Sequence, residues 1–189
     1  SGGQNAGEQN LFASYLANFE NIIEDTLFGA VVSTFRKNSS APIQITANDS
    51  IKKLINNGVT MMTFFGHGAA SVGFDQNIDQ PSSYDNYGKY PIILANSCNS
   101  GNIHLQGHNT ISEQWVLIPN RGSIIFLASV FEDLPSYLNF VSTSIYKNMA
   151  ATSYGKSFGE IFKNASADIL QQIPNNSGLI NTIQEFALH

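Results

Sequence analysis

The sequence contains a single cysteine, Cys98, and few charged residues. One cysteine among 189 residues excludes an internal disulfide, so the fold is not a small scaffold held together by disulfide bonds. Charged residues make up only 12% of the chain, about half of the usual share, and serine, asparagine and glycine supply much of the polar surface instead. We interpret this composition as a sign of an exported protein.

Basic clusters and long apolar segments are also missing. The net charge is −5, and no run of lysine or arginine is present that would neutralise a row of phosphates, so we expect no nucleic-acid partner. No apolar stretch approaches the roughly 18–20 residues that cross a bilayer, so we expect no membrane span. A chain of 189 residues that is 42% hydrophobic suits one domain, 1–189, with a sizeable core.

The apolar periodicity predicts alternating helices and strands. Strands are predicted over 30–36, 59–65, 91–96 and 122–128, and a last strand is expected to begin within 183–188. Helices are predicted over 9–28, from an N-cap at Asn48 or Thr46 to Gly58, from the capping box at Thr110 to Pro119, over 134–150, and from the capping box at Ser157 to Gln172. Residues 69–90 are predicted to form a crossover and loop. Apolar strands separated by long connections favour an α/β fold, a three-layer α/β/α sandwich with a mostly parallel sheet.

Two reactive side chains directly follow two of these strands. His67 lies in Gly66-His67-Gly68 after the strand over 59–65, and Cys98 follows the strand over 91–96. Sites in open α/β sheets form where the carboxyl ends of the strands meet. If the two strands are parallel neighbours, we expect the thiol and the imidazole at one edge of the sheet.

This pairing suits nucleophilic catalysis by a thiol. A neighbouring imidazolium favours the reactive thiolate form of a cysteine, and the flanking N–H groups of Gly66 and Gly68 could bind a developing oxyanion. Separately, each residue has a plainer interpretation: Cys98 as a small core residue, and His67 as a loop histidine bonded to backbone.

A metal site is another interpretation of the same residues. Cys98, His104 and His108, with His67 as a fourth ligand, are ligand types that suit zinc. Their spacing, Cys-x5-His-x3-His, matches no strong zinc pattern, so we expect no metal and no other cofactor. Asp75, Asp79 and Asp85 could line a pocket for a basic substrate side chain.

Several of these motifs resemble those of gingipain-type cysteine peptidases, in the same order. The similar stretches are Ile55-Asn56-Asn57-Gly58 and Phe65-Gly66-His67-Gly68, then Ser97-Cys98 with Gly101-Asn102, Ser112-Glu113, Pro119-Asn120-Arg121-Gly122-Ser123-Ile124, and Phe158-Gly159-Glu160. Phe186-Ala187-Leu188 resembles the lead-in to a Gly-Asp-Pro that follows in the family. The resemblance extends from about Ile51 to the end and is weak over the first fifty residues.

The resemblance implies a caspase-like fold and endopeptidase activity on proteins or peptides. By this analogy Cys98 is the nucleophile, His67 the general acid and base, and the N–H groups of Gly68 and Cys98 bind the oxyanion. It further implies a secreted or cell-surface bacterial protein, and a chain that is part of a longer one. The acid that partners the histidine lies upstream in this family, where Glu8 is the nearest candidate by spacing, ahead of Glu20 and Glu24.

Two features depart from the family pattern. Phe74 stands in the loop after Gly-His-Gly, where family members often have tryptophan, and the upstream acid falls in the poorly matched part of the chain. The alternative function is therefore a catalytically inactive caspase-fold module that serves binding or assembly on a surface or secretion-system protein.

Overall fold

The core of the protein is a four-stranded, mostly parallel sheet. The computed structural model describes residues 1–25, 27–41, 48–71, 73–76, 78, 80–106 and 110–189. The strands follow the order β1 (Met61–Phe65), β4 (Ile92–Asn96), β5 (Ile125–Ser129) and β6 (Phe186–Leu188). The first three are parallel, and β6 runs antiparallel to β5. The predicted α/β class with a mostly parallel sheet is confirmed.

The described helices lie on both faces of this sheet. They are α1 (Ala6–Ile23), α2 (Asn48–Asn57), α3 (Ile111–Leu117), α4 (Pro135–Lys147), α5 (Phe158–Gln172) and α6 (Ser177–Glu185). Helices α1, α4, α5 and α6 share one apolar cluster, whereas α2 and α3 share the other. No helix within the described ranges is both long and apolar enough to cross a bilayer.

Alternation along the strands divides the core into these two clusters. Phe65, Leu94 and Leu127 belong to the larger cluster, and their chain neighbours Phe64 and Ile93 belong to the smaller one. Successive side chains of a strand point to opposite faces, so one continuous apolar run supplies both layers. This arrangement is the predicted three-layer sandwich.

Local signals in the sequence set most of the helix boundaries. Both predicted capping boxes form, at Thr110 with Glu113 and at Ser157 with Glu160. Gly58 follows α2 with a φ of +101°, a conformation that costs glycine little, and it ends the helix as predicted. Thr46, the alternative N-cap of α2, lies outside the described residues.

Three predictions about secondary structure need correction. Residues 30–36, all of which the structure describes, form no strand; Val31 is 96% exposed. Helix α6 was not predicted, and only the short β6 follows it. The crossover between β1 and β4 contains a small antiparallel hairpin of β2 (Gly68–Ala69) and β3 (Gly73–Phe74), although no tight turn is evident from the sequence.

Candidate active site

The two strands that precede His67 and Cys98 are parallel neighbours. Phe65, the last residue of β1, pairs with Asn96, the last residue of β4. His67 and Cys98 therefore each stand two residues beyond a matched pair, at the carboxyl edge of the sheet. The N–H of Gly66 donates to the carbonyl of Asn96 at 3.2 Å and carries the pairing one residue further.

The loops that follow these strands are in close contact. A Cβ atom on Gly68 would lie 2.7 Å from both Ser97 Oγ and Ser100 Oγ, a distance that a side chain cannot occupy. Ser97 and Ser100 are buried and their hydroxyl groups are hydrogen-bonded to each other. Because glycine has no Cβ, Gly68 allows the loop that carries His67 to approach the loop that carries Cys98 this closely.

The turn that carries Cys98 is hydrogen-bonded to the end of β5 and to the residues just after it. The N–H of Asn99 donates to the Phe131 carbonyl at 2.9 Å, and the N–H of Gly101 donates to the Ser129 carbonyl at 2.8 Å. Asn99 adopts a φ of +58°, which asparagine tolerates better than most residues. Cys98 is a partly exposed free thiol at the start of this turn.

A carboxylate lies against the histidine. Glu8 Oε2 is 2.9 Å from His67 Nε2, and the side chains are 33% and 41% exposed, respectively. The Phe12 and His67 rings form a T-shaped pair, with centroids 5.9 Å apart and an interplanar angle of 68°. Glu8 and Phe12 are one helical turn apart on α1, so one face of this helix contacts the imidazole with both a charge and an aromatic ring.

The start of α1 holds Glu8 in its charged form. Asn5 is the N-cap, and its side chain accepts a hydrogen bond from the Glu8 N–H at 3.0 Å. The Gln4 N–H donates to Glu8 Oε2 at 2.8 Å. That backbone hydrogen bond, followed by the hydrogen bond with His67, holds the pKa of Glu8 below its ordinary value. A helix N-terminus also favours a negative charge.

Only one of the three candidate acids contacts His67. Glu20 instead accepts a hydrogen bond from Thr34 Oγ1 at 2.8 Å, and Glu24 accepts one from the Val32 N–H at 2.8 Å. Sequence spacing favoured Glu8 without deciding among the three. A local signal was present, because Asn5-Ala6-Gly7-Glu8 has the N-cap and N3 residues of a helix start.

Asp75 and Lys37 form a buried ion pair between the segment that leads to Glu8 and the loop that carries His67. The sequence analysis did not predict this pair. The Asp75 N–H donates to the His67 carbonyl at 3.0 Å, while Asp75 Oδ2 accepts the Gly3 N–H at 2.7 Å. Lys37 Nζ lies 3.3 Å from the same oxygen, and both side chains are almost completely buried. Asp75 therefore joins the histidine loop to the segment that leads into α1.

The proposed acidic pocket is not formed as expected. Asp75 is buried and paired with Lys37, so it does not offer a free charge to a basic substrate side chain. Asp85 is exposed, and its N–H is bonded to Asn56 Oδ1 at 2.8 Å. Asp79 lies outside the described residues.

The alternative zinc site is only partly covered by the structure. Within the described ranges, no group of three or more His, Cys, Asp or Glu residues is arranged to hold a metal ion. His67, one of the four suggested ligands, is bonded to Glu8. His108 lies outside those ranges, as does Gly107 beside it.

Comparison with known proteins identifies related sequences and folds. The family model described as peptidase family C25 matches residues 2–189. No curated protein matches the sequence.

Two solved structures are similar at a TM-score of 0.67. The complex of Porphyromonas gingivalis RgpB pro- and mature domains is 12% identical, with 95% of this chain and 40% of that chain covered. The Arg specific cysteine proteinase gingipain R (RGPB) is 13% identical, with 100% and 43% covered.

These likenesses confirm the fold. A third structure, described as a protease, is similar at a TM-score of 0.58 and 14% identity over 71% of this chain and 34% of that chain. In the two gingipain matches, the chain spans about two fifths of the length of the matched chain. At these identities the comparison with solved structures supports the caspase-like architecture that the motifs imply.

Proposed function

Because the chain belongs to peptidase family C25, we propose that it is a cysteine endopeptidase with Cys98 as the nucleophile and His67 as the general acid and base. The observation that carries this proposal is the 2.9 Å contact between His67 Nε2 and Glu8 Oε2, at the sheet edge where β4 leads into Cys98. A nucleophile, a base and a group that orients the base are the parts that covalent catalysis uses.

Glu8 fixes the histidine ring in this proposal. Its carboxylate accepts a hydrogen bond from Nε2, so that Nδ1 is the nitrogen left to exchange protons during the reaction. The negative charge of Glu8 also lies beside the imidazolium that forms when His67 takes the proton of Cys98, a step that leaves Cys98 as the reactive thiolate. The hydrogen bonds from the Gln4 N–H and from His67 lower the pKa of Glu8, so this carboxylate keeps its charge to a more acidic pH than an ordinary glutamate.

Acylation begins with attack of the Cys98 thiolate on the scissile carbonyl carbon. The C–S bond forms as the carbonyl electron pair moves onto oxygen, and the N–H groups of Gly68 and Cys98 donate to that oxyanion. His67 then passes its proton to the amide nitrogen, the C–N bond breaks and the amine leaves. The product of this half-reaction is a thioester.

Hydrolysis of the thioester completes the cycle. His67 takes a proton from water, whose oxygen attacks the thioester carbon, and the C–S bond breaks to regenerate the thiolate and release the carboxylic acid. The contact of Gly68 with Ser97 and Ser100 supports this reaction because it brings the two loops that carry His67 and Cys98 together.

The substrates in this proposal are proteins or peptides, and the site of action is the outside of a bacterial cell or its surface. Family membership supports the first point, and the low content of charged residues supports the second. Residues 1–189 act as one peptidase domain, which would belong to a longer chain, since they span about two fifths of the gingipain chains.

Peptide turnover by a Cys98→Ala variant tests the proposal. The change removes one sulfur atom from a partly exposed side chain, so we expect an unchanged thermal unfolding curve and complete loss of hydrolysis of a fluorogenic peptide library. Turnover that persists in this variant would refute the role of Cys98. A folded wild-type protein without turnover on any library member would favour a binding module of the same fold.

A further inference from the structure

Two polar side chains lie buried in the apolar layer beneath the candidate site. Asn96 is the last residue of β4, and Ser142 lies within α4; both are 0% exposed. Asn96 follows Leu94 on the face of β4 that packs against the larger apolar cluster. Ser142 lies between Leu138 and Ile145 on the buried face of its helix. Both residues are therefore polar where the apolar pattern calls for a hydrophobic side chain.

The two side chains bond to each other and to β1. Ser142 Oγ donates to Asn96 Oδ1 at 2.5 Å, and Asn96 Nδ2 donates to the Phe64 carbonyl of β1 at 3.3 Å. The backbone carbonyl of Asn96 accepts the N–H of Gly66, which directly follows β1, at 3.2 Å. Asn96 therefore holds the end of β4 to the end of β1 through both its main chain and its side chain, and it holds both ends to α4.

These bonds lie where both chains leave the sheet. Phe65 and Asn96 are the last matched pair of the two strands. His67 directly follows Gly66, and Cys98 is two residues beyond Asn96. The separation of the two strands at this edge therefore determines where the backbone that carries the imidazole and the thiol begins.

We propose that Asn96 and Ser142 form a clamp that fixes the spacing of the loops carrying His67 and Cys98, and that both are positioning residues for catalysis. Their side chains are completely buried, so they act through the backbone on either side of the site and not on the substrate. The catalytic part of this inference rests on the proposed peptidase function, whereas the clamp depends only on the contacts of Asn96.

Stability alone does not explain a polar pair at this place. Replacing both partners of a buried hydrogen bond by apolar groups of the same shape can be nearly neutral or stabilising. A buried polar network whose members are all satisfied instead makes its surroundings rigid, and each polar side-chain atom of Asn96 and Ser142 has a partner. Departures from the apolar pattern are expected at functional sites, and this one lies directly beneath the loops of His67 and Cys98.

A double variant separates positioning from stability. Asn96→Leu with Ser142→Ala replaces both polar groups by apolar ones, so we expect its urea midpoint to equal or exceed that of the wild type. We expect kcat for a fluorogenic peptide to fall about 10-fold to 100-fold, because misplacement of reacting groups by about 1 Å costs rate on this scale, with little change in KM. Ser142→Ala alone, which removes one hydroxyl group, should lower kcat by a smaller factor.

Tyr146→Phe is the matched control for Ser142→Ala. Tyr146 lies about one turn after Ser142 on α4, and its hydroxyl oxygen is 2.6 Å from Oγ1 of Thr63, the middle residue of β1. The change also removes a single hydroxyl group that joins α4 to the sheet, but away from the carboxyl edge, so kcat should stay at the wild-type value. An equal fall in kcat in both variants would overturn the proposal, because general loosening of α4 would then explain it.

Hydrogen exchange of the Gly66 amide tests the clamp independently of catalysis. We expect this amide to exchange at least about tenfold faster in the double variant, while the Leu127 amide of β5 exchanges as in the wild type. Unchanged exchange at Gly66 would overturn the clamp.

The kinetic results distinguish failure of this inference from failure of the proposed function. Wild-type kcat in the double variant would overturn the positioning role and leave the peptidase function intact. A wild-type protein that hydrolyses no peptide would refute the peptidase function and the positioning role together, and the exchange of the Gly66 amide would still decide whether Asn96 and Ser142 hold the two strand ends.

Discussion

Glu8 and His67 are 59 residues apart in the sequence, and Glu8 Oε2 lies 2.9 Å from His67 Nε2 in the structure. The contact depends on two independent features of the fold. The cap at Asn5 places Glu8 in the first turn of α1, and the parallel pairing of β1 with β4 places His67 at the carboxyl edge of the sheet. The same pairing places Cys98 at that edge.

We expect Glu8→Gln to lower kcat for peptide hydrolysis on the order of 10²-fold, within the range of general acid–base effects, with a small change in KM. The amide keeps the shape of the side chain but loses the charge that orients and stabilises the imidazolium. Steady-state kinetics measures the effect. Glu20→Gln is the matched control, because Glu20 lies on the same helix and bonds to Thr34. An equal fall in kcat in the Glu8→Gln and Glu20→Gln variants would show that the contact of Glu8 with His67 does not contribute to catalysis.

The Gly68→Ala substitution should lower catalytic activity without a large loss of stability in the rest of the fold. The added methyl group would lie 2.7 Å from Ser97 Oγ and Ser100 Oγ, so the two loops must separate. We expect kcat/KM to fall at least about tenfold, which corresponds to about 1.4 kcal/mol in the barrier. Gly159→Ala serves as the control, because its Cβ would meet only Leu188 Cδ2 at 3.9 Å and alanine favours a helix. A Gly68→Ala enzyme with wild-type kinetics would contradict the close contact between the loops.

Replacing only one partner of the Lys37–Asp75 ion pair should lower the free energy of unfolding strongly. Asp75→Asn leaves a buried ammonium without its countercharge, and we expect the free energy of unfolding to fall by about 3 kcal/mol. The double variant Lys37→Met with Asp75→Asn should lose less than the sum of the two single variants, because it removes both charges. Urea unfolding of the four proteins measures this coupling. Additive losses would show that the two charges do not stabilise each other.

The amino group of a chain that starts at Ser1 should make stability depend on pH. Burial lowers the pKa of this group from 8.0 to about 5, and Arg36 also lowers it, although Asp75 raises it. Between about pH 5 and pH 8 the unfolded chain binds a proton that the folded chain excludes, so stability rises with pH across this window.

Urea midpoints at pH 5, 6, 7 and 8 measure this dependence. The Nα-acetylated chain is the control, because it keeps every histidine and carboxylate and lacks only the titrating amine. We expect the difference between the two chains to change steadily across the window. A constant difference would mean that the Ser1 nitrogen is not buried in the folded protein.

Much of the site could be predicted from the sequence because it depends on local signals. Apolar runs of strand length ending at His67 and Cys98 predict two buried strands, and the long crossover between them favours parallel pairing. The capping boxes at Thr110 and Ser157 fix the starts of α3 and α5. In each case the signal lies within a few residues of the feature that it predicts.

The remainder depends on contacts between distant residues. The partners of Asp75 are Gly3 and Lys37, and no local pattern distinguishes a buried aspartate of this kind from a solvated one in a loop. Residues 30–36 have the composition of a strand, yet a strand needs a neighbouring strand to pair with. Within the described residues no strand pairs with this segment. The choice of Glu8 over Glu20 is likewise decided by which residue of α1 faces His67.

Reaction of Cys98 with a peptidyl acyloxymethyl ketone tests the central claim most directly, because the chain contains no other cysteine. Intact-mass spectrometry of the folded wild-type protein should show a single adduct, which peptide mapping places on Cys98. The His67→Ala variant should form it on the order of 10²-fold more slowly. No adduct on the folded protein, or equal rates for the wild type, the His67→Ala variant and the urea-unfolded chain, would contradict a catalytic site built from Glu8, His67 and Cys98.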